Sequence, residues 1–178
     1  MKTRQHGFTM IELIVVIVIL GILAAVALPR FTNITKDARI AKLNAARGAV
    51  LSASAMVHGS ALARAGLADT VICAAPVGPT PAMANNTSNL CTESGRVAIV
   101  NTYPAGTLNG IVDAAGLSLV FPATAATLAQ EGYAATAVGG VATIQVTGGT
   151  DAPTCSFTYT AAAAGAAPVV GAINRVGC

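Results

Sequence analysis

The apolar run FTMIELIVVIVILGILAAVAL, residues 8–28, is the feature of this 178-residue sequence that decides its predicted fold. Its 21 residues include one charged side chain, Glu12, and residues 13–28 carry no charge at all. As a helix the run would rise roughly 31 Å, which matches the hydrocarbon core of a bilayer. An uncharged run of this length is unusual for a buried helix of a soluble protein. The run therefore predicts a membrane-spanning helix near the N-terminus.

Glu12 lies five residues into this run, where a carboxylate is costly unless it finds a partner or a proton. A cleaved secretory signal is one alternative, with the small residues 24–27 (AAVA) as its cleavage pattern. The charge inside the apolar core argues against that alternative. We therefore interpret Glu12 as a functional residue that requires a countercharge.

The pattern around the run resembles the class III leader and first helix of type IV pilins and pseudopilins, over about residues 1–31. It consists of a basic leader, a glycine, a Phe-Thr-x-x-Glu-Leu motif and a downstream proline, which are Lys2, Arg4, His6, Gly7, residues 8–13 and Pro29. The resemblance implies cleavage after Gly7 by a prepilin peptidase and N-methylation of the new Phe8 amine. It also implies that the apolar helix is retained and that Thr9 and Glu12 take the family's assembly positions.

Cleavage at this junction would create the countercharge that Glu12 needs. The new Phe8 amine would lie about one helical turn from Glu12, and filament packing could bring the amine of one subunit to the carboxylate of the next. A buried pair of this kind is stabilising mainly relative to either charge alone, so we interpret it as setting the register between subunits.

The charge balance is ten Lys+Arg against seven Asp+Glu, a net charge of +3. Without Lys2 and Arg4 the remainder carries 3 − 2 = +1, which gives no electrostatic footprint for nucleic acid. Basic residues also follow the span, so the charge count favours the orientation opposite to the cytoplasmic leader that the resemblance implies. Three of these residues, Arg39, Lys42 and Arg47, we interpret as a solvated helix flank. Their pairing to carboxylates of neighbouring subunits is the alternative.

Gly21 and Pro29 are predicted weak points of the first helix, because glycine is a poor helix former and proline removes a backbone hydrogen bond. Beyond Pro29 the helix is expected to resume and to end near Ala61. Apolar residues recur there at steps of three or four and predict one buried face. They are Ile40, Leu43, Ala46, Val50, Ala53, Val57 and Ala61.

After residue 62 the composition predicts a loop and then a small antiparallel sheet. Pro76, Pro79, Pro81 and the Asn85-Asn86 pair are typical of a loop. Four runs are alternating or β-branched and are predicted as strands: residues 96–103, 116–121, 141–147 and 154–160. Residues 148–153 predict the turn between the last two. Residues 103–116 and the tail from residue 155 resemble pilins of the mannose-sensitive haemagglutinin (MSHA) type.

The sequence has four cysteines, and no two of them form a C-x-x-C motif. An even number of cysteines in an exported head predicts disulfides. Of the three possible connectivities we favour Cys73–Cys91 with Cys155–Cys178, because each pair brackets one local loop. Cross-links of this size contribute about 3 kcal/mol each in the chain-entropy model. Cys155 and Cys178 resemble the family's pair that bounds its variable surface region.

We expect no enzymatic activity, no cofactor and no metal site. The sequence has no H-E-x-x-H, G-x-S-x-G or P-loop motif. His58 has no catalytic partners in the sequence, Asp113, Glu131 and Asp151 are isolated carboxylates, and no acidic cluster suits calcium.

The sequence thus predicts an α+β protein with a leader at residues 1–7, a long helix at 8–61 and a disulfide-bonded head at 62–178. We expect a structural subunit of a type IV pilus that supports adhesion, attachment or motility. Its expected partners are identical subunits, prepilin peptidase, the inner-membrane assembly platform and the bilayer, with no specific nucleic acid. The chain is expected to be in the inner membrane as precursor and monomer, and in an extracellular pilus filament once it is assembled. The alternatives are a pseudopilin of a type II secretion system and a membrane-anchored binding protein that never polymerises.

Overall fold

The computed structural model describes residues 8–64, 66–70, 72–73, 83–93, 95–149 and 154–178, with the backbone alone for residues 29–33. The α+β class is confirmed. Two compact units divide the chain, Met1–Ala38 and Arg39–Cys178. A long helix, α1 (Met10–Arg64), begins in the first unit and ends in the second. It continues without interruption through Gly21 and Pro29 and extends three residues beyond the predicted end at Ala61.

The described part of the second unit contains two antiparallel sheets rather than the single one expected. Strands β1 (Asn89–Cys91), β2 (Arg96–Val100) and β3 (Tyr103–Pro104) form the first, in that order. Strands β4 (Tyr133–Val138), β5 (Val141–Val146), β6 (Ser156–Thr160) and β7 (Val169–Val170) form the second. Along the chain, a π-helical turn, Leu108–Val112, and a short helix, α2 (Ala125–Gln130), connect β3 of the first sheet to β4 of the second.

The head core forms where α1 packs on both sheets, and the predicted apolar face of α1 is confirmed. Leu43 and Val50 are fully buried and belong to one cluster with Ile111, Ile144 and Tyr159. Farther along the helix, a smaller cluster joins α1 to the first sheet through Val57, Ala61, Leu90 and Ile99. Each fully buried aliphatic side chain contributes about 1.5–3 kcal/mol.

The two sheets approach each other closely at Gly106. A Cβ at this position would lie 1.9 Å from the carbonyl oxygen of Gly140, so no larger residue fits without a backbone shift. Nearby, the Tyr159 hydroxyl donates to the carbonyl of Pro104 over 2.8 Å and so links β6 to β3. The two sheets therefore contact each other directly in this part of the head.

The predicted strand at residues 116–121 is wrong, because this segment consists of turns and bends. Three of its backbone N–H groups donate locally: Gly116 to the Asp113 carbonyl at 3.1 Å, Leu117 to the Val112 carbonyl at 3.4 Å, and Val120 to Ser118 Oγ at 3.2 Å. No neighbouring strand is then needed to bind them. Leu119 is left 88% exposed.

The predicted strand at residues 96–103 is two strands. Asn101 and Thr102 both have positive φ angles, 50° and 69°, and form the two-residue turn between β2 and β3. This is the backbone that tight hairpins favour. Strand β4 was missed, since its sequence YAATAV is rich in alanine and has no clear apolar alternation.

Candidate assembly site at the start of the apolar helix

Thr9 and Glu12 form a capping box at the start of α1. The Thr9 backbone N–H donates to Glu12 Oε2 at 2.8 Å, and the Thr9 hydroxyl donates to the same oxygen at 2.7 Å. In return, the Glu12 N–H donates to Thr9 Oγ1 at 3.3 Å. The spacing Thr-x-x-Glu is the sequence signature of this motif, and it satisfies backbone donors that a helix start leaves unpaired.

The capping box uses one of the two carboxylate oxygens of Glu12. Both Thr9 donors bind Oε2, and no residue in the described part of the chain donates to Oε1. Phe8 precedes the box and is 87% exposed. The site thus presents an ordered carboxylate with a free oxygen next to an exposed aromatic residue.

The apolar run that follows Glu12 is exposed along its whole described length. By length and composition, Met10–Leu28 could cross a membrane, and none of this stretch is buried within the protein. Its large apolar side chains are each about half exposed or more, for example Ile14, Ile17 and Leu20. A surface of this kind requires an apolar environment, either lipid or other helices.

The structure brings together some of the predicted site residues. Phe8, Thr9 and Glu12 lie within one turn, whereas Gly7, the predicted cleavage position, lies outside the described residues. Gly21 and Pro29 are farther along α1, and their role as weak points stays a prediction. The structure contains the disulfides Cys73–Cys91 and Cys155–Cys178, which are the pairs favoured from sequence.

Three basic residues of α1 beyond the span, Arg39, Lys42 and Arg47, contact the head. Arg39 Nη1 donates to the Cys178 carbonyl at 2.6 Å, and Arg47 Nε donates to the Gly171 carbonyl at 3.0 Å. Lys42 donates to the carbonyl of Glu131 and lies 4.4 Å from the centre of the Tyr133 ring. These are half-buried anchors to the head, not a fully solvated flank. Sequence alone could not reveal their carbonyl partners.

The described residues contain no group of three or more His, Cys, Asp or Glu side chains that could hold a metal. The N-terminal segment presents a carboxylate that is hydrogen-bonded to Thr9 at the start of an exposed apolar helix.

The N-terminal segment, with its capped Glu12 and exposed apolar helix, is the part of the chain that matches known proteins. Residues 2–28 match the family model described as the prokaryotic N-terminal methylation motif. Over its N-terminal segment the chain is also similar to several type IV pilins.

Three relatives illustrate the similarity. The type IV narrow pilus major component PilA5 of Thermus thermophilus is 53% identical over 53 residues, 30% of this chain and 46% of that protein. The type IV major fimbrial protein FimA of Dichelobacter nodosus is 40% identical over 53 residues, 30% of this chain and 34% of that protein. The type IV major pilin protein PilE1 of Neisseria gonorrhoeae is 55% identical over 42 residues, 24% of this chain and 26% of that protein.

The matched part spans less than half the length of each of these relatives. No solved structure matches the chain.

Proposed function

We propose that this chain is a structural subunit of a type IV pilus, polymerising through its N-terminal helix to support adhesion, surface attachment or motility. The observation that carries the proposal is the combination of a capped Glu12 with the exposed apolar stretch Met10–Leu28. The similarity of the chain to major pilins supports it. An apolar helix can leave lipid for a bundle of like helices at modest cost, because both environments are apolar.

The proposed assembly step uses the free oxygen of Glu12. Prepilin peptidase would cut after Gly7, and the Phe8 amine would be methylated and keep its positive charge. Thr9 holds Oε2, so Oε1 is available to accept the amine of the adjoining subunit. Because the capping box fixes the carboxylate before the partner arrives, less conformational entropy is lost when the pair forms.

The partners of the chain follow from this proposal. They are identical subunits in a helical homopolymer, prepilin peptidase, the inner-membrane assembly platform, and the bilayer that holds the precursor and the stored monomer. The chain would be located in the inner membrane before assembly and in an extracellular filament afterwards. It would act as a structural component without catalysis.

Sheared surface fractions test the proposal. Abundant long filaments containing this chain, with Phe8 as the N-terminus by mass spectrometry, are the expected result. Short filaments confined to the periplasm would instead indicate a pseudopilin of a type II secretion system. A strictly monomeric membrane protein would indicate the non-polymerising alternative and overturn the proposal.

A further inference from the structure

Strand β4 is an open edge of the second sheet. It lies at one end of the strand order β4-β5-β6-β7, and β5 pairs with it along one side. With six residues it is the longest edge strand of the described head, since β1 has three residues and β3 and β7 have two each. None of the residues of β4 is buried. An accessible edge of this length can pair with a strand of another chain.

The devices that normally protect an edge strand are missing from β4. Its sequence YAATAV contains no charged residue and no proline, and its register with β5 runs through all six residues without a bulge. The core is also incompletely covered on this side. Ala142 and Ile144 of β5 are fully buried, whereas their partners Ala137 and Ala135 on β4 are only partly buried. A further strand beside β4 would complete this layer.

The hydrogen-bonding pattern shows which backbone groups of β4 face the open edge. The Thr147 N–H donates to the carbonyl of the opposite residue, Gly132, at 3.1 Å, so these two form a hydrogen-bonded pair. Such pairs alternate along an antiparallel ladder, so the even-numbered residues of β4 direct their N–H and C=O groups to β5. The odd-numbered residues direct theirs to the open edge, and no other segment of the described chain binds them. They are Tyr133, Ala135 and Ala137.

We propose that β4 pairs with β4 of a second copy of this chain, antiparallel and with Ala135 opposite Ala135. Tyr133 then lies opposite Ala137 of the second copy. The three N–H groups at the open edge of each strand face carbonyl groups of the other strand, so every donor and acceptor of the edge is used. A shift by two residues would leave some of these groups unpaired. A shift by one residue would join the core face of one head to the outer face of the other.

The side chains suit this register, and the other edges of the described head do not match it. On the outer face Ala134 lies opposite Thr136, and no like charges oppose each other on either face. The other edge strands have two or three residues, too few to bind every open group of β4. One pair of six-residue strands is smaller than a stable protein–protein interface, so two isolated heads would pair weakly.

Pairing through β4 would link separate filaments. A twofold axis relates the two paired strands, whereas subunits along one filament, with all their helices pointing the same way, are related by a rotation with a translation. The β4 pair would therefore join filaments side by side, and the many heads of a filament would strengthen a weak contact. This consequence rests on the proposed function, but the pairing of heads does not.

Amide hydrogen exchange of the full chain in detergent micelles tests the pairing without filaments. Strand β5 protects the even-numbered amides of β4 at every protein concentration. We expect the odd-numbered amides to exchange about tenfold more slowly at high protein concentration than at low concentration. A mixed isotope-labelled sample should show contacts between Ala135 of one copy and Ala135 of the other. Odd-numbered amides that exchange equally fast at both concentrations, or contacts from β4 to a different segment, would overturn the proposal.

Two matched variants place a lysine on the outer face of the sheet. Thr136→Lys puts it on the open edge, and Thr143→Lys puts it on the opposite residue of β5, one strand farther in. Neither threonine is buried, so both variants are expected to fold. Thr136→Lys should remove the slow exchange and lower the share of sheared filaments found in bundles about tenfold or more. Thr143→Lys should behave like the wild type in both measurements.

Low-speed sedimentation and electron microscopy measure the bundles. Single filaments in normal amount, with equal bundling in the wild type and Thr136→Lys, would contradict the pairing and leave the proposed function intact. A wild type without any filaments would contradict the proposed function, and the exchange measurement in micelles would then decide the pairing by itself.

Discussion

Two carboxylates of this protein lie where charge is costly, and each is held by a neighbour through one oxygen. Glu12 begins an apolar helix and receives both Thr9 donors on Oε2. Asp113 lies inside the head and receives the Ala123 N–H on Oδ1. In both cases the second oxygen has no donor in the described part of the chain. The resemblance pointed to Glu12, whereas the burial of Asp113 depends on loops that pack from distant positions, so sequence showed it as an isolated carboxylate.

Substitution of Glu12 tests its proposed role in assembly. Glu12→Leu is expected to insert into the membrane at least as well as the wild type, because it removes a charge from hydrocarbon. The variant should be processed after Gly7, because the cleavage junction is unchanged. It should give few normal filaments, because burying the incoming amine without its partner would weaken subunit association by about 3–5 kcal/mol. The measurement compares processed membrane protein with sheared filament yield.

Thr9→Val is the matched control for that experiment. It removes the hydroxyl from the capping box but leaves the hydrogen bond from the Thr9 N–H to Glu12. The capping box should therefore lose only about 1 kcal/mol of stabilisation. Filament yield should then fall between those of the wild type and Glu12→Leu. A wild-type yield with normal subunit stagger from Glu12→Leu would show that Glu12 does not set the register.

Asp113 makes the stability of the head depend on pH. Its folded pKa is raised to about 6 from the ordinary value of 3.8, so the folded state binds the proton more tightly than the unfolded chain. The resulting stability is fully present below pH 3.8 and is lost as the pH rises through 6. The shift corresponds to at most about 3 kcal/mol.

We therefore expect the wild type to lose stability relative to Asp113→Asn between pH 4 and pH 7. Denaturant midpoints of the two proteins at several pH values measure the difference in the free energy of unfolding. If that difference stays constant across the range, Asp113 does not titrate as described.

Some helices and strands of the structure could be predicted from sequence patterns, and others could not. The buried face of α1 was predictable because a period of three to four residues needs no knowledge of the partner surface. Strands β5 and β6 were predictable from alternation within residues 141–147 and 154–160. The wrong strand at 116–121 has the same alternation, but its backbone N–H groups donate locally, to the Asp113 carbonyl and to Ser118 Oγ, and so hold it as turns. Pattern alone does not distinguish an edge strand from a loop of this kind.

The segment of α1 between Gly21 and Pro29 is predicted to be the least stable part of this helix. Pro29 has no N–H, so one backbone hydrogen bond of the helix is missing there. Amide hydrogen exchange in micelles should be faster around residues 21–29 in the wild type than in Pro29→Ala, which restores the donor.

Gly21→Ala is the companion variant. Nothing lies within 4 Å of a Cβ at this position, so alanine fits, and it should stabilise the helix by about 1 kcal/mol. Equal protection in the wild type and both variants would show that neither residue weakens the helix.

Across the whole molecule, the two compact units present different kinds of surface. The first, Met1–Ala38, exposes the apolar stretch Met10–Leu28. The second, Arg39–Cys178, has its own core and both disulfides. From composition, the sequence distinguishes an apolar run from a cysteine-containing, turn-rich region, because the two obey different rules. The boundary that it places between residues 61 and 62 stays a prediction. The sequence could not predict the number of sheets, since this depends on how distant segments pack.

The disulfides should therefore stabilise the head and leave assembly through the apolar helix largely unaffected. Cys155–Cys178 closes a loop with a sequence separation of 23, and removing it with paired Cys→Ala substitutions should lower the free energy of unfolding by about 3 kcal/mol. Filament yield at a temperature where the variant head stays folded should remain near that of the wild type, because Glu12 and Met10–Leu28 are unchanged. The paired Cys73→Ala and Cys91→Ala variant is the comparison, with a separation of 18 and a similar expected loss. Filaments that disappear while the head is still folded by circular dichroism would show that the disulfide region takes part in subunit contacts.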